Sequence, residues 1–235
     1  MSKLFVISRD IGNPSDVSPR VVNALRECSF VLCEDTRVAG IFLKNHAVEK
    51  KELISLNEFN ERRKTPWVLD RIREGESAGL ISDAGTPSVS DPGYYVVSQA
   101  ILAGIQIVPV PGVSAVMTAL VGAGFPTDAF AFYGFLPKKE KKRREKLAEA
   151  MFRAETSIFF ESPHRIDKTL EDIASIDEER SIVIARELTK THEEFVRGTA
   201  LSLLKESWVR KGEMVLLIKG EGKCSAAKSK TVSED

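Results

Sequence analysis

The sequence predicts an α/β fold with a parallel sheet, and three observations carry that prediction. Short apolar runs of strand length at residues 4–7, 30–33, 78–81 and 106–110 alternate with longer segments of helical period. Each run breaks off into a loop of polar residues, glycine and proline. The loops at 82–87 and 111–115 are built of small residues, and in an open α/β sheet ligands bind outside the carboxyl ends of the strands.

The chain is organised around the run at 78–81. It ends in Ser82-Asp83-Ala84-Gly85-Thr86-Pro87 and continues to Asp91-Pro92-Gly93. Gly85 permits positive φ or close approach of a ligand to the backbone. Pro87 and Pro92 fix φ and restrict the residues before them. The run at 106–110 ends in Pro111-Gly112-Val113-Ser114-Ala115, and the two loops are expected to share one pocket.

In chain order, the strand at 4–7 ends in a turn-rich loop from Ser8 to Pro14. Ser18 and Pro19 read as N-cap and first residue of a helix whose apolar face carries Val21, Val22, Leu25 and Cys28. After the strand at 30–33 come Glu34-Asp35-Thr36-Arg37 and a helix to about Asn45. A strand at 52–56 precedes the polar segment 57–64, and a helix over 61–73 contains Pro66 and stops at Gly75. A helix with Val96, Val97, Ala100 and Ile101 closes at Gly104, and another is expected over 113–122.

The segment 122–127 is the expected domain boundary, giving domains over 1–120 and 121–220. In the second, strands are expected at 130–133, 157–160, 181–185, 194–197 and 213–218. Helices are expected at 138–151, after 162 and over 199–208. Ser162-Pro163 reads as a second N-cap and first helical residue. Residues 221–235 have the composition of a disordered tail.

Bulk properties narrow the function classes. A chain of 235 residues that is 43% hydrophobic can build one large core or two compact ones. Lys plus Arg and Asp plus Glu balance at 34 each, so only local clusters bear on nucleic-acid binding. Cys28, Cys33 and Cys224 make an odd set without a CxxC pair, which points to a reducing cytoplasm. No secretory signal pattern and no membrane-length apolar run is present.

Motif absences narrow them further. There is no GxGxxG after the first strand, no P-loop and no GxSxG elbow, which counts against dehydrogenases, kinases and hydrolases. The three histidines lack metal-ligand spacing, so no metal is expected. His164 reads as a helix-start residue that caps or packs. What remains is a set of polar clusters at strand ends: 10–13, 34–37, 57–61, 83–86, 161–165 and 186–190. Each alone is a solvated loop, but parallel topology collects strand ends on one edge. Such an edge suits a substrate with cationic and anionic parts, as an S-adenosyl sulfonium or an RNA backbone offers. One dense basic cluster, Lys138, Lys139, Lys141, Lys142, Arg143 and Arg144, lies near Phe132, Tyr133, Phe135 and Phe152. It reads either as a solvated helix face or as a phosphate-contacting patch.

These motifs, in this order, resemble a known family. Asp10-Ile11-Gly12-Asn13, Glu34-Asp35-Thr36-Arg37, Asn57-Glu58-Phe59-Asn60-Glu61 and Ser82-Asp83-Ala84-Gly85-Thr86-Pro87 with Ser90-Asp91-Pro92-Gly93 form the first half of the match. Pro111-Gly112-Val113-Ser114-Ala115, Gly134-Phe135-Leu136-Pro137, Glu161-Ser162-Pro163-His164-Arg165 and Ala185-Arg186-Glu187-Leu188-Thr189-Lys190 complete it. The pattern is similar to that of the bacterial 16S rRNA (cytidine-2′-O)-methyltransferases of the decoding centre, in the tetrapyrrole methylase superfamily. The resemblance runs to about Lys219. It implies two α/β domains, a mostly parallel N-terminal sheet and a mixed C-terminal one. It also implies S-adenosylmethionine in the interdomain cleft, a homodimer, and the small ribosomal subunit as partner. By position, it places cofactor contacts on Asp83 and Thr86, with Ser82, Ala84 and Gly85 nearby. Ser114 and Ala115 come next, then Ile11, Glu161 and Leu188. The family usually has Thr-Pro where this chain has Arg9-Asp10.

For such a methyl transfer a base or a nearby cation should assist the ribose hydroxyl. Candidates are Glu34, Asp35, Glu58, Glu187 and Lys190. Lys190 is expected either as a buried neutral amine that takes the proton or as a phosphate contact. Arg37, Arg165 and Arg186 are expected to grip phosphate or carboxylate, with Glu58 and the basic cluster also on the RNA side. The rival expectations are a small-molecule methylase and a non-catalytic RNA-binding assembly factor.

Overall fold

The structure is a computed structural model that describes residues 2–221. The chain divides into two compact units, Met1–Ser114 and Ala115–Asp235.

The first unit is a five-stranded sheet. Its strands are β1 (Lys3–Ile7), β2 (Phe30–Cys33), β3 (Glu52–Ser55), β4 (Ala78–Leu80) and β5 (Gln106–Val110). The order is β3-β2-β4-β1-β5 and every pairing is parallel. The predicted parallel sheet is therefore present. Helices α1 (Pro19–Glu27), α2 (Thr36–Asn45), α3 (Glu61–Arg73) and α4 (Tyr94–Leu102) cover its two faces. The period-2 alternation of the strands sorts the side chains. Phe5, Ile7 and Val31 join Val21, Leu25, Phe42 and Leu43 in one core. Leu4, Phe30, Leu32 and Leu80 join Val68, Ile72, Val96 and Ala100 in the other. Ser18 caps α1 by accepting from the Val21 N–H, with Pro19 as first helical residue. Because β4 lies between β2 and β1, the loops after these three strands are neighbours along one sheet edge.

The second unit holds α5 (Ala115–Ala123), β6 (Phe130–Phe135), α6 (Glu140–Met151), β7 (Thr156–Glu161) and α7 (Ile166–Ile176). After these come β8 (Ser181–Arg186), β9 (Glu194–Thr199), α8 (Ala200–Lys205) and β10 (Met214–Ile218). The sheet order is β6-β7-β10-β8-β9, with only β6 and β7 parallel, which makes it the mixed sheet expected. Its core joins Leu147, Met151, Leu170 and Ile173 to Phe159, Ile184 and Leu216.

Three local expectations are corrected. The expected boundary left the helix now seen as α5 with the first domain, whereas the division falls at Ser114/Ala115. The physical reason is that α5 packs on β8, β9 and β10, so closely that a Cβ at Gly122 would lie 2.3 Å from Phe195. Ser162-Pro163 does not open a helix. The Ser162 hydroxyl accepts from His164 N at 3.3 Å and its carbonyl from Arg165 and Ile166, so one turn closes before α7 begins. Helix α8 stops at Lys205, short of the expected 208, because the Trp208 indole turns back to donate to the Leu203 carbonyl at 2.9 Å. The expected tail, including Cys224, lies outside the described residues except for Glu221. Among the described residues no helix is long and apolar enough to cross a membrane.

Candidate functional site

In the first unit the loops after β1, β4 and β5 are tied to one another by their backbones. Ser8 N donates to Val110 O at 3.1 Å, Arg9 N to Gly85 O at 2.9 Å, and Gly85 N returns to Asp10 O at 3.0 Å. The Ser8 hydroxyl meets Thr86 at 3.1 Å, and Thr86 donates to Val113 O at 3.3 Å. Two glycines make this possible. Gly85 has φ +71, and a Cβ there would press to 3.3 Å from Ile11. A Cβ at Gly112 would lie 2.9 Å from the Ser8 Cβ. The loops read from the sequence as one pocket, with Ser114 at the end of this unit, are thus brought together around Gly85.

The loop after β2 joins the same edge. Asp35 N donates to the Asp83 carboxylate at 3.3 Å. Asp35 also accepts from Arg37 N at 2.8 Å, which caps α2, and its carboxylate is clasped by the exposed Arg37 guanidinium. That hydrogen bonding holds Asp35 well below the usual carboxylate range, which makes it a weak base. Glu34 is shifted the other way: burial raises its pKa first, and the nearby Asp83 charge raises it further. Asp91 is pushed up to about 6 by burial and then by Glu34, with a hydrogen bond from Ser82 opposing. Asp91 was not singled out as a site residue from the sequence. Its Ser-Asp-Pro-Gly setting was visible, but its distance from Glu34 was not. Ser82 itself is buried and donates to Ala84 O at 2.9 Å, leaving Ala84 exposed.

Arg9, the family departure, lies on the rim of this edge. Its guanidinium stacks 4.1 Å from the Phe42 ring centroid and 3.6 Å from the Asp10 carboxylate. Burial lowers its pKa, with Asp10 and Asp83 opposing, and among the described residues Nε and Nη1 have no hydrogen-bond partner within 3.5 Å. A cavity of about 150 Å³ between this loop and α2 is walled by Arg9, Asp10, Phe42 and His46 among others.

In the second unit, the loop after β8 carries Glu187 and Thr189 at φ 49 and 64, a strained pair for residues with side chains. Gly212 faces it, and a Cβ there would collide with Glu187 at 2.5 Å. Lys190 pairs with Glu213 at 2.8 Å and Glu187 at 3.1 Å. Burial alone would lower the Lys190 pKa, but the two carboxylates raise it on balance. Of the two expected readings of Lys190, the raised pKa favours the charged lysine over the neutral amine. Glu187 is held low, first by the Glu213 backbone N–H. Leu188 is buried.

Two expected RNA contacts, Arg143 and Arg186, are corrected by burial, and a third, Arg165, is half-buried and tied to the protein. Arg143 is 5% exposed and bonds Asp172 at 2.7 Å. Arg186 is 6% exposed and is spent on Glu194, His192 O and Lys211 O. Arg165 is held by Glu161 at 2.5 Å and Leu136 O at 3.1 Å. Glu161 is itself buried, accepting from Ser162 N and Thr169, so its carboxylate is satisfied locally. Lys138, Lys139, Lys141, Lys142 and Arg144 are exposed, as are Glu58 and Arg37. A sequence signal for Arg143 existed: it shares the helical spacing of Leu147, Ala150 and Met151, all buried on α6.

Comparison with known proteins adds a family and several relatives. A family model for tetrapyrrole (corrin/porphyrin) methylases matches residues 3–204. The chain is 42% identical over 222 residues to the ribosomal RNA small subunit methyltransferase I of Halalkalibacterium halodurans, covering 93% of this chain and 76% of that one. It is 41% identical over 225 residues to the protein of that name from Escherichia coli O157:H7, covering 93% and 78%. Among solved structures, the methyltransferase CobJ superposes with a TM-score of 0.69 at 21% identity, over 93% of this chain and 94% of that one. Uroporphyrin-III-C-methyltransferase from Thermus thermophilus superposes with a TM-score of 0.65 at 20% identity, over 93% and 94%.

Proposed function

This chain belongs to the tetrapyrrole (corrin/porphyrin) methylase family, and on that premise we propose that it methylates the ribose 2′-oxygen of a cytidine in the decoding centre of 16S rRNA, using S-adenosylmethionine. The observation that carries the reading is identity above 40% over more than nine-tenths of the chain to proteins named as small-subunit rRNA methyltransferases.

S-adenosylmethionine, when bound, supplies a methyl group on a cationic sulfur. The first unit is built to suit such a group. Gly85 lies flat against Ile11 with no side chain in the way, Ala84 is exposed, and three carboxylates, Glu34, Asp83 and Asp91, converge beside them. Asp83, Thr86, Ser82, Ala84, Gly85, Ile11 and Ser114 would hold it. Glu34, with its raised pKa, is the better base among the candidates for taking the hydroxyl proton. Lys190, charged, would hold an RNA phosphate rather than accept a proton. The exposed lysines of α6 and Arg37 would contact the RNA backbone. Helix α4 leaves Tyr94, Ile101 and Leu102 exposed by 60–80%, an apolar surface that supports a homodimer.

The test is transfer of label from S-adenosylmethionine to small ribosomal subunits of a strain lacking this enzyme, beside naked 16S rRNA and a tetrapyrrole precursor. The expected result is label in RNA at one linkage resistant to alkali, because a methylated 2′-oxygen no longer attacks its neighbouring phosphate. Label in the tetrapyrrole alone would replace this reading with small-molecule methylation.

A further inference from the structure

Among the described residues Phe59 is the most exposed large apolar side chain, at 89%. It does not hang on a loose loop. The Asn57 side-chain oxygen accepts from Phe59 N and Asn60 N, each at 3.1 Å, and the Asn60 oxygen accepts from Asn57 N at 2.9 Å. The Asn60 amide also reaches Ser55 O at 3.3 Å. Two asparagines thus clamp a turn that points one aromatic ring into solvent. The turn is anchored to the candidate site: Leu56 N donates to Cys33 O at 2.7 Å and Ser55 Oγ to Glu34 O at 3.3 Å.

The surroundings decide what kind of partner the ring suits. A protein interface has an apolar centre, with charged residues depleted there. Within four residues on either side of Phe59 the exposed positions are Glu58, Arg62 and Arg63, none of them apolar. Arg62 lies 4.9 Å from the Tyr95 ring centroid, which orients its guanidinium. A lone ring flanked by arginines matches single-stranded nucleic acid, where bases stack on aromatic faces and cations follow the phosphates.

We infer that Phe59 is a stacking platform for an unpaired base of the RNA substrate, with Arg62 and Arg63 on the flanking phosphates. The inference rests on the rRNA reading above and deepens it, naming a contact that holds the target strand next to the Glu34 loop. A stacked base would fix the strand without selecting its sequence.

The experiment is steady-state methyl transfer to small subunits by Phe59→Ala and Phe59→Trp, with cofactor affinity measured by calorimetry. Phe59→Ala is expected to raise KM for subunits about tenfold, within the range that base–aromatic stacking supplies. Phe59→Trp should stay near wild type, and cofactor affinity should be unchanged in both. The double variant Arg62→Ala/Arg63→Ala should flatten the dependence of KM on salt. An unchanged KM in Phe59→Ala, or equal losses in the alanine and tryptophan variants, overturns the stacking role. So does a change in sedimentation of Phe59→Ala, which would put the ring between two copies of the chain. A wild-type protein that binds cofactor but labels no RNA would instead fail the rRNA reading itself.

Discussion

At the scale of residues, the carboxylates of the first unit carry separable tasks. Asp83 accepts from Asp35 N and sits beside the Gly85 turn. Asp83→Ala is expected to weaken S-adenosylmethionine binding about 10- to 100-fold by calorimetry, the loss of one charge-assisted contact. Glu34→Gln should change that affinity far less than Asp83→Ala does and lower kcat about 100-fold, with the acid limb of the pH–rate profile lost. Asp91 gives a stability effect with a definite sign. Burial and the Glu34 charge push its pKa up to about 6, above that of an unfolded aspartate, so the folded protein holds the extra proton through the interval between them. Stability therefore falls as pH rises from about 4 to 6, and the penalty stays above that. Asp91→Asn should remove it, raising stability at pH 7 by on the order of 1 kcal/mol after solvent screening, as urea titrations at pH 4 and 7 would show.

At the scale of elements, helix α6 has two faces that its charge run conceals. Its buried face locks to α7 through Arg143 and Asp172 at 2.7 Å, while Lys141 and Lys142 face solvent. Arg143→Ala leaves the Asp172 carboxylate buried without its partner and should cost about 3 kcal/mol in urea denaturation. Lys141→Ala/Lys142→Ala should be nearly neutral for folding and should flatten the salt dependence of RNA binding instead. The residues that misled at this scale share a local pattern with something else. Ser162-Pro163 has the composition of Ser18-Pro19, yet the first makes a turn and the second a capped helix. The difference is which N–H groups each serine oxygen meets, and that depends on the path the next residues take in space.

At the scale of the whole chain, two units carry separate cores on two sheets of different kind. The exposed apolar residues of α4 belong to this scale, since nothing within the first unit covers Ile101 and Leu102. With the proposed homodimer formed through this face, Leu102→Asp is expected to lower the sedimentation coefficient to that of a monomer while leaving the far-UV spectrum unchanged.

The sequence by itself determined the strands, the parallel character of the first sheet and the loops at its strand ends. Apolar period and Gly-Pro punctuation are local, and a strand buried on both faces has little else to be. The chain of motifs determined the family in the same way, because each motif is a contiguous run. Tertiary structure decided what local pattern leaves open. It turned Arg143 and Arg186 inward, charged Lys190 by setting it between Glu187 and Glu213, and gave α5 to the second sheet. It also buried Asp91 and set it near Glu34, and burial first, then that charge, raised its pKa. Each of these depends on a partner distant in sequence, and charge, burial and protonation are properties of that meeting rather than of either residue alone.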